Sequence, residues 1–545
     1  MALRPQDDVT HDRRAWIVAA ALTAICASVA LAVTAAGRGP EYDPLAYARL
    51  HEGKVFNREA TVPPPCYLRT EGKHNTCWTC HTQPVGMNEI NDADLQTSYA
   101  FSAFATTNHW ENLHTGPGDE AQAWSEARLL GHVRGDNYRP LRAALERTAG
   151  YRGFVPDLDL EAGFDGDGFA KDGSGWRAVR YKPFPSGSWP TSTGNAGEVM
   201  IRLPRAFRQD RDGRESAAIY RLNLALLEAA VATPEGDRSG RRVEPVDERL
   251  AGSDLDGDGA LGTAERILRL PETYAGAARA VKVERLLYPE GTELLHPVRY
   301  LDPDQPTFAA RRMKELRYSR KVQALGAWAL THAYDEEKEE KERGKAPHFP
   351  GNYEVGLRGD IGWQLQGFIE DAEGRLRAQT SEEHLFCMGC HGNLGVLVDG
   401  TFAFPRKVPG REGWRPQDLR GMKDAPQVGH PEGEVPAFLR RAGAADELRE
   451  NDELAAKLMP GGQLDEAAAR RAGPGGDLDL AGLLLPSRER AMALDRAYLA
   501  LVLRQRFELG RDALPGPARH LHRNVEGQET RLTVIRDGRL HLRWE

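Results

Sequence analysis

The longest run of apolar positions lies near the N-terminus, where residues 15–36 carry no charged side chain. A helix rises about 1.5 Å per residue, so this run is long enough to cross a bilayer core of roughly 30 Å. The pattern predicts a membrane anchor that follows a short cytoplasmic tail, and a signal peptide cleaved near residues 33–35 is the alternative. Cys26 lacks the small preceding residue of a lipoprotein signal, so it is interpreted as a thiol within the membrane.

Weaker periodic patterns predict the regular elements in the rest of the chain. In residues 95–114, apolar positions recur every four residues and place His109 on the same helical stripe. Residues 308–342 have the spacing of one long helix, with His332 on its apolar face. Residues 530–544 alternate around an Asp-Gly pair, which is typical of a β hairpin. The expected fold is mainly α with extensive irregular loops, and its only β element is a minor hairpin at the C-terminus.

The composition narrows the class of protein. Apolar residues make up 40% and charged residues 28% of the 545 residues, which is typical of globular proteins. A net charge of −8 argues against a nucleic-acid partner, because phosphate binding requires a concentrated basic face. The 56 glycines and 34 prolines predict many turns and long irregular connections.

Four of the six cysteines occur in two short stretches of the form Cys-x-x-Cys-His. A thioredoxin-like pair would follow a β strand, and a zinc site built from the four thiols would leave both histidines without a role. In the third interpretation, the two thiols bond to the vinyl groups of haem and the histidine ligates its iron. This interpretation gives a role to all six Cys and His residues of the two motifs, namely Cys77, Cys80, His81, Cys387, Cys390 and His391. Cys66 is left over and is interpreted as a free thiol.

The two motifs resemble those of dihaem c-type cytochromes, and the resemblance covers the ten residues 77–81 and 387–391. It implies two covalently bound haem c groups, attached on the periplasmic side of a bacterial cytoplasmic membrane. The expected partners are then redox proteins or a membrane electron-transfer complex. Residues 15–36 would hold the protein in the inner membrane.

A haem with two protein ligands also needs a second axial residue, usually His or Met. His109 and His332 are the first choices, because each continues an apolar helical stripe. The alternatives are His114 and His74 for the first haem, and His348 and His384 for the second.

An acidic loop at residues 254–265, "DLDGDGALGTAE", matches the EF-hand calcium pattern, with acids at positions 1, 3, 5 and 12 and Gly at position 6. The pattern predicts a structural calcium ion and a helix that leaves the loop, and the alternative is a solvated acidic turn. The expected ligands are Asp254, Asp256, Asp258, the carbonyl group of Ala260, and Glu265.

These features divide the chain into a tail and anchor (1–37), a first haem segment (38–125), a loop region (126–210), a helical region with the calcium loop (211–300), a second haem segment (301–400) and a C-terminal region (401–545). The expected function is that of a membrane-anchored dihaem cytochrome that relays electrons between redox partners. A dihaem peroxidase-like oxidoreductase with one open haem site is the alternative. A calcium-binding scaffold held by zinc is a third, non-redox hypothesis.

Overall fold

The structure is a computed structural model that describes residues 42–545, apart from residues 71–72, 84–92, 186, 234–235, 346, 392–396, 444–447, 537–540 and 545. The expected anchor at residues 15–36 and Cys26 lie outside the described residues. Within the described ranges, no helix has both the length and the apolar character that a membrane crossing requires. Residues 44–545 form one compact unit.

An antiparallel sheet of eight strands organises this unit. Its strand order is β1–β2–β5–β6–β9–β8–β7, and β10 also pairs with β9, while β3 and β4 form a separate two-stranded sheet. The strands are β1 (Arg177–Val179), β2 (Val199–Arg202), β3 (Arg241–Asp247), β4 (Thr263–Ile267), β5 (Glu293–Leu301), β6 (Ala309–Lys321), β7 (Gly351–Asn352), β8 (Gly356–Arg358), β9 (Trp363–Glu370) and β10 (Leu376–Ala378).

The helices of the described chain are mostly short, and most of the α-helices lie before β1 or after β10 in sequence. The α-helices are Ala46–His51, Asp119–Gln122, Glu126–Val133, Tyr138–Arg147, Pro190–Thr193, Ala217–Ala232, Glu248–Ala251, Ala327–Glu342, Ser381–His391, Glu434–Ala442, Asp452–Leu458, Glu466–Ala472, Leu480–Leu484 and Arg488–Arg504. The 3-10 helices are Pro64–Tyr67, Thr76–Thr79, Ala93–Thr97, Glu111–His114, Arg205–Arg208, Gly276–Ala278, Phe404–Arg406, Arg411–Gly413, Pro460–Gly462 and Phe507–Leu509.

The longest buried helix, Ala217–Ala232, shows how the core forms around the sheets. Ser216 caps it, because its Oγ accepts a hydrogen bond from the backbone N–H of Ile219 at 3.3 Å. Nearly every side chain from Ile219 onward is buried, including Asn223 and Glu228, so this helix is enclosed on all sides, and it packs in one cluster with β3 and β4.

The prediction of a mainly α fold is wrong, because the eight-stranded sheet is the central element. The segment 308–342 is not one helix: it contains β6, a turn, and then the helix Ala327–Glu342. Ala310, Met313 and Leu316 are buried at a spacing of three, which favours a helix in the sequence. In the structure, the pairing of β6 with β5 shifts register twice, and such bulges place residues of this spacing in a strand.

Two smaller elements also differ from the sequence-based expectation. Residues 95–114 form short 3-10 turns and loops instead of a helix. No C-terminal hairpin forms among the described residues on either side of the Asp-Gly pair. Leu542 pairs with Gln427, and the backbone N–H of Ile535 donates to the side chain of Gln96. The final residues therefore pair with distant segments rather than with each other.

Candidate cofactor cavity

Both Cys-x-x-Cys-His motifs line one internal cavity of ≈590 Å³. Its size falls within the range of small-molecule and cofactor sites, roughly 300–1,000 Å³. The residues of the motifs in its wall are Cys77, Cys80, His81, Cys387, Cys390 and His391, and Cys66 lines the same cavity. The structure thus brings together the two motifs that sequence analysis selected, although some 300 residues separate them.

The first motif is held by a short 3-10 helix, Thr76–Thr79. The Asn75 side chain caps this helix by accepting a hydrogen bond from the backbone N–H of Cys77 at 3.0 Å. Trp78 is 2% exposed and packs against Phe438, with ring centroids 5.6 Å apart. Because Trp78 occupies the core, the two flanking cysteines lie at the cavity.

Gln96 fixes the end of the first motif. Its Nε2 donates to the carbonyl oxygen of His81 at 2.7 Å and to that of Ile535 at 2.6 Å. Gln96 is fully buried, so these hydrogen bonds replace those that it would make with water. Gln96 therefore positions the backbone of His81, and sequence analysis gave no sign of this role.

The second motif forms the C-terminal end of the helix Ser381–His391. Met388 is 2% exposed and occupies the position that Trp78 has in the first motif, as the buried residue after the first cysteine. A Cβ atom at Gly389 would overlap the carbonyl oxygen of Thr61, so the lack of a side chain allows the helix to approach the segment that precedes Cys66.

The ring of His391 is fixed in the tautomer that suits a metal ligand. Its Nδ1 lies 2.9 Å from the carbonyl oxygen of Gly400, so Nδ1 carries the proton that it donates to this oxygen. Burial lowers the pKa of His391, and the nearby Arg317 guanidinium lowers it further. The imidazole is therefore neutral, with Nε2 as its unprotonated nitrogen. A backbone carbonyl in this position is a common support for a metal-ligating histidine.

The cavity thiols do not have the properties of a redox-active dithiol. Burial raises the pKa of Cys77 and of Cys390 to about 12, and it also raises the pKa of Cys66 and Cys387. A reactive cysteine instead has a lowered pKa, because the thiolate is the nucleophile. These thiols stay protonated at neutral pH, which argues against the thioredoxin-like interpretation.

A zinc site built from the motif cysteines is not assembled either. Over the described ranges, one group of three or more acidic, His or Cys side chains has its ligand atoms within 4.8 Å of one another. That group consists of Glu248, Asp254 and Asp256, and none of these residues lines the cavity. Tetrahedral zinc requires four ligand atoms around one point.

One face of the central sheet forms the opposite wall of the cavity. His296 on β5 lies directly across from Arg317 on β6, which in turn lies across from Gly367 on β9. Residues paired in this way have their side chains on the same face of the sheet. Burial and the Arg317 charge lower the pKa of His296 to about 4, and its Nδ1 lies 2.8 Å from the carbonyl oxygen of Glu198.

The two residues predicted as second axial ligands lie away from this cavity. His109 stacks on the ring of Phe104, and its Nε2 lies 3.1 Å from the carbonyl oxygen of the same residue. The side chain of His332 is 58% exposed and lies 3.5 Å from Glu336. The prediction that each residue lies on a buried helical stripe is wrong. His109 is in a loop, and His332 is on the exposed face of its helix.

None of the four alternative histidines offers a free ring nitrogen to the cavity. His74, His114 and His348 do not line the cavity. His384 does, but its Nδ1 lies 2.8 Å from the carbonyl oxygen of Thr380, and its Nε2 accepts a hydrogen bond from the backbone N–H of Gly367. Both of its nitrogens are therefore used. His296 is the histidine that sequence analysis missed, because the strand that contains it was not predicted.

The acidic loop is followed by the strand β4, not by the helix that an EF-hand would have. Asp254 and Asp256 come together with Glu248, which lies just before the loop and is 1% exposed. Glu265 is exposed on β4 and does not belong to this group of side chains, and neither does Asp258. The carbonyl group of Ala260 stays a predicted ligand. The buried acid thus comes from the short helix Glu248–Ala251 rather than from the twelfth position of the loop.

Comparison with known proteins identifies the class. A lipoprotein family model matches residues 50–448, and the chain belongs to this family. A relative from Aquifex aeolicus (strain VF5), described as an "uncharacterized lipoprotein", is 32% identical to this chain in an alignment 528 residues long. The alignment covers 84% of this chain and 86% of the relative. No solved structure matches the chain. The family supports a membrane-associated, extracytoplasmic location.

This membership corrects the interpretation of the chain as a dihaem c-type cytochrome. Both the family model and the relative are lipoproteins, and neither is described as a cytochrome. The expected function as an electron relay, together with its peroxidase-like alternative, is therefore wrong. The association with redox partners stays a prediction.

Proposed function

We propose that this lipoprotein holds covalently attached haem in its central cavity, one haem at each Cys-x-x-Cys-His motif. The observation that carries the proposal is the convergence of two such motifs, distant in sequence, on one cavity. The proposal concerns the cofactor and its protein ligands, and it includes neither a cytochrome class nor an electron relay.

The residues in the cavity fit this cofactor chemically. Thioether bonds form from cysteine sulfurs, and all four motif cysteines are free of disulfides. The neutral imidazole of His391 has the protonation state of an iron ligand. Haem, when bound, supplies an iron centre that accepts such a nitrogen ligand. The cavity wall also contains apolar side chains, among them Val62, Phe101 and Phe386, which would contact a flat, mostly apolar group.

His296 is the residue that best meets the requirements of a second axial ligand. It lines the cavity and is neutral, and the Glu198 carbonyl fixes its Nδ1 as the Gly400 carbonyl fixes that of His391. Its Nε2 makes no hydrogen bond within the described part of the chain. On this basis, His296 would hold the iron of one of the two haems, the role first assigned to His109 or to His332.

The test is a count of covalent haem in the full chain, exported from cells that contain a haem-attachment system. Two haems per chain are expected, and they should remain on the polypeptide during denaturing electrophoresis, because thioether bonds survive unfolding. A chain that is exported and folded but carries no covalent haem contradicts the proposal.

We also propose that residues 15–36 hold the protein at the periplasmic side of the cytoplasmic membrane. The support is the length of this uncharged run, together with the family's association with membranes. Replacing residues 1–37 by a cleavable signal peptide is expected to move the protein from the membrane fraction to the soluble periplasmic fraction. Cys26→Ala in the full chain is the control: if it alone releases the protein, a lipid on Cys26 is the anchor instead.

The acidic group near residue 254 is proposed to bind a structural calcium ion through Glu248, Asp254 and Asp256. Asp254→Ala is expected to remove the stabilisation that calcium gives to the folded protein. An ion that binds only the folded state stabilises it by about 2.7 kcal/mol at a hundredfold excess over its Kd. The measurement is the melting temperature with calcium and with EDTA.

The control for the calcium site is Glu265→Gln, which changes an exposed acid of the same loop outside the ligand group. It is expected to retain the response to calcium. A wild-type protein whose melting temperature is the same in EDTA and in calcium would show that the loop is only an acidic turn.

A further inference from the structure

The part of the cavity wall that the sheet forms contains an arginine whose hydrogen-bonding capacity is only partly used. The Nε of Arg317 donates to Glu315 Oε2 at 2.8 Å. Its two terminal nitrogens make no hydrogen bond with any residue that the structure describes. The side chain is 35% exposed, and this exposure is towards the cavity that it lines. A guanidinium group with an unused fork is thus available inside the cavity.

The local charge balance is positive. Arg511 also donates to Glu315 Oε2, at 3.2 Å, so two guanidinium groups share one carboxylate. These two arginines overcome the effect of burial and lower the pKa of Glu315 to about 2, so this carboxylate is already ionised at neutral pH. Asp512, the acid next to Arg511, is paired with Arg449. Glu383 also acts on Arg511, but its carboxylate is paired with Arg377, so three arginines face two glutamates and one positive charge is left over.

The strand pairing identifies the neighbours of Arg317 on the sheet, which are His296 and Gly367. The Gln379 side chain fills the position of a Cβ atom at Gly367, so the space open to a ligand is that of the cavity itself. Arg317 lines the same cavity as Cys387 and His391 of the second motif. A group bound by Arg317 would consequently lie next to the second motif.

We propose that the cavity binds an anionic group, a carboxylate or a small oxyanion, on the free fork of Arg317. Planar oxyanions match the parallel N–H groups of a guanidinium, and such charge-assisted pairs gain strength where water is excluded. The anion is either a small molecule that enters the cavity or the propionate carboxylate of a haem held there. The second source rests on the proposed function, and the first does not.

The experiment is calorimetric titration of the full-length exported protein with formate, nitrate and phosphate at low ionic strength. At least one of these anions is expected to bind, and Arg317→Gln should weaken its binding about tenfold or more. Arg320→Gln is the matched control, because it removes the same charge from an exposed position on the same strand. Arg317→Lys keeps the charge without the fork, and it is expected to bind more weakly than wild type even if the glutamine variant does not fold.

The haem count and absorption spectrum of each preparation distinguish the two sources of the anion. If no free anion binds, but Arg317→Gln changes the haem spectrum while Arg320→Gln does not, the anion is a propionate. Arg317-dependent anion binding in a chain without haem supports the site and contradicts the proposed function. If both the titrations and the spectra are the same for Arg317→Gln and Arg320→Gln, the proposed anion site is wrong.

Discussion

Replacing Cys387 and Cys390 together by alanine is expected to remove one of two covalent haems from each chain. Both thiols line the central cavity at the end of one helix, next to the neutral ring of His391. A thioether bond needs a cysteine sulfur, so the variant has no covalent link at this motif. A second variant, with Cys77 and Cys80 replaced by alanine, should lose the haem of the first motif and keep that of the second.

The measurement is the haem content of the denatured chain, taken from its absorbance and from its intact mass. Cys66→Ala is the matched control, because it removes a half-buried thiol from the same cavity but outside both motifs. It should retain both haems. If the Cys66 variant loses as much haem as the motif variants, the loss reflects damage to the cavity and not the missing thioether bonds. If all variants carry as much covalent haem as the wild type, haem is not attached at the motifs.

The largest expected effect on stability comes from Glu434, in the helix Glu434–Ala442. Its carboxylate forms ion pairs with Lys182 and Arg406, and the three side chains are at most 2% exposed. Glu434→Gln leaves Arg406 buried without a counter-charge and leaves Lys182 with Asp424 alone, and it is expected to lower the free energy of unfolding by about 3–5 kcal/mol. Because Arg406 lines the cavity, the same change should also loosen that wall.

The measurement is urea-induced unfolding of the wild type and the variant at several pH values. Despite burial, Arg406 and Lys182 lower the pKa of Glu434 to about 2 in the folded state, below its ordinary value. A lowered carboxyl pKa stabilises the protein above the unfolded-state pKa, and this contribution disappears as the pH falls towards 2. The difference between wild type and variant should therefore be full at pH 7 and shrink in acid.

Glu466→Gln provides the comparison, because Glu466 pairs with Arg440 at an exposed position. Exposed ion pairs contribute little, since water screens both charges. A loss of stability in the Glu434 variant that is no greater than in the Glu466 variant would contradict the importance of the buried network.

The cavity could be predicted from the sequence only as far as its cysteines. The spacing within each motif is local, so Cys77 and Cys387 were identifiable without knowledge of the fold. The opposite wall depends on the pairing of His296 with Arg317 across two strands, and that pairing is set by bulges and long-range register. Polar residues on the cavity face of β6 also remove the apolar alternation by which a strand is normally recognised.

The calcium loop illustrates the same limit on a smaller scale. The spacing of Asp254 and Asp256 within the loop follows the EF-hand pattern, and the structure keeps these two acids together. Glu248 lies outside the pattern, and it joins them because the chain folds back between β3 and β4. The spacing of residues within the loop therefore could not predict that Glu248 joins this group.

Gln96 donates hydrogen bonds to the carbonyl groups of His81 and Ile535, two residues that are synthesised at very different times. A polypeptide exported from its N-terminus presents Cys77 to the outside long before residue 535 arrives. The first motif is open during this interval, and the bridge between Leu68 and Leu521 is likewise absent. The contacts of Gln96 with Ile535 and of Leu68 with Leu521 thus form only after nearly all of the described chain has been synthesised.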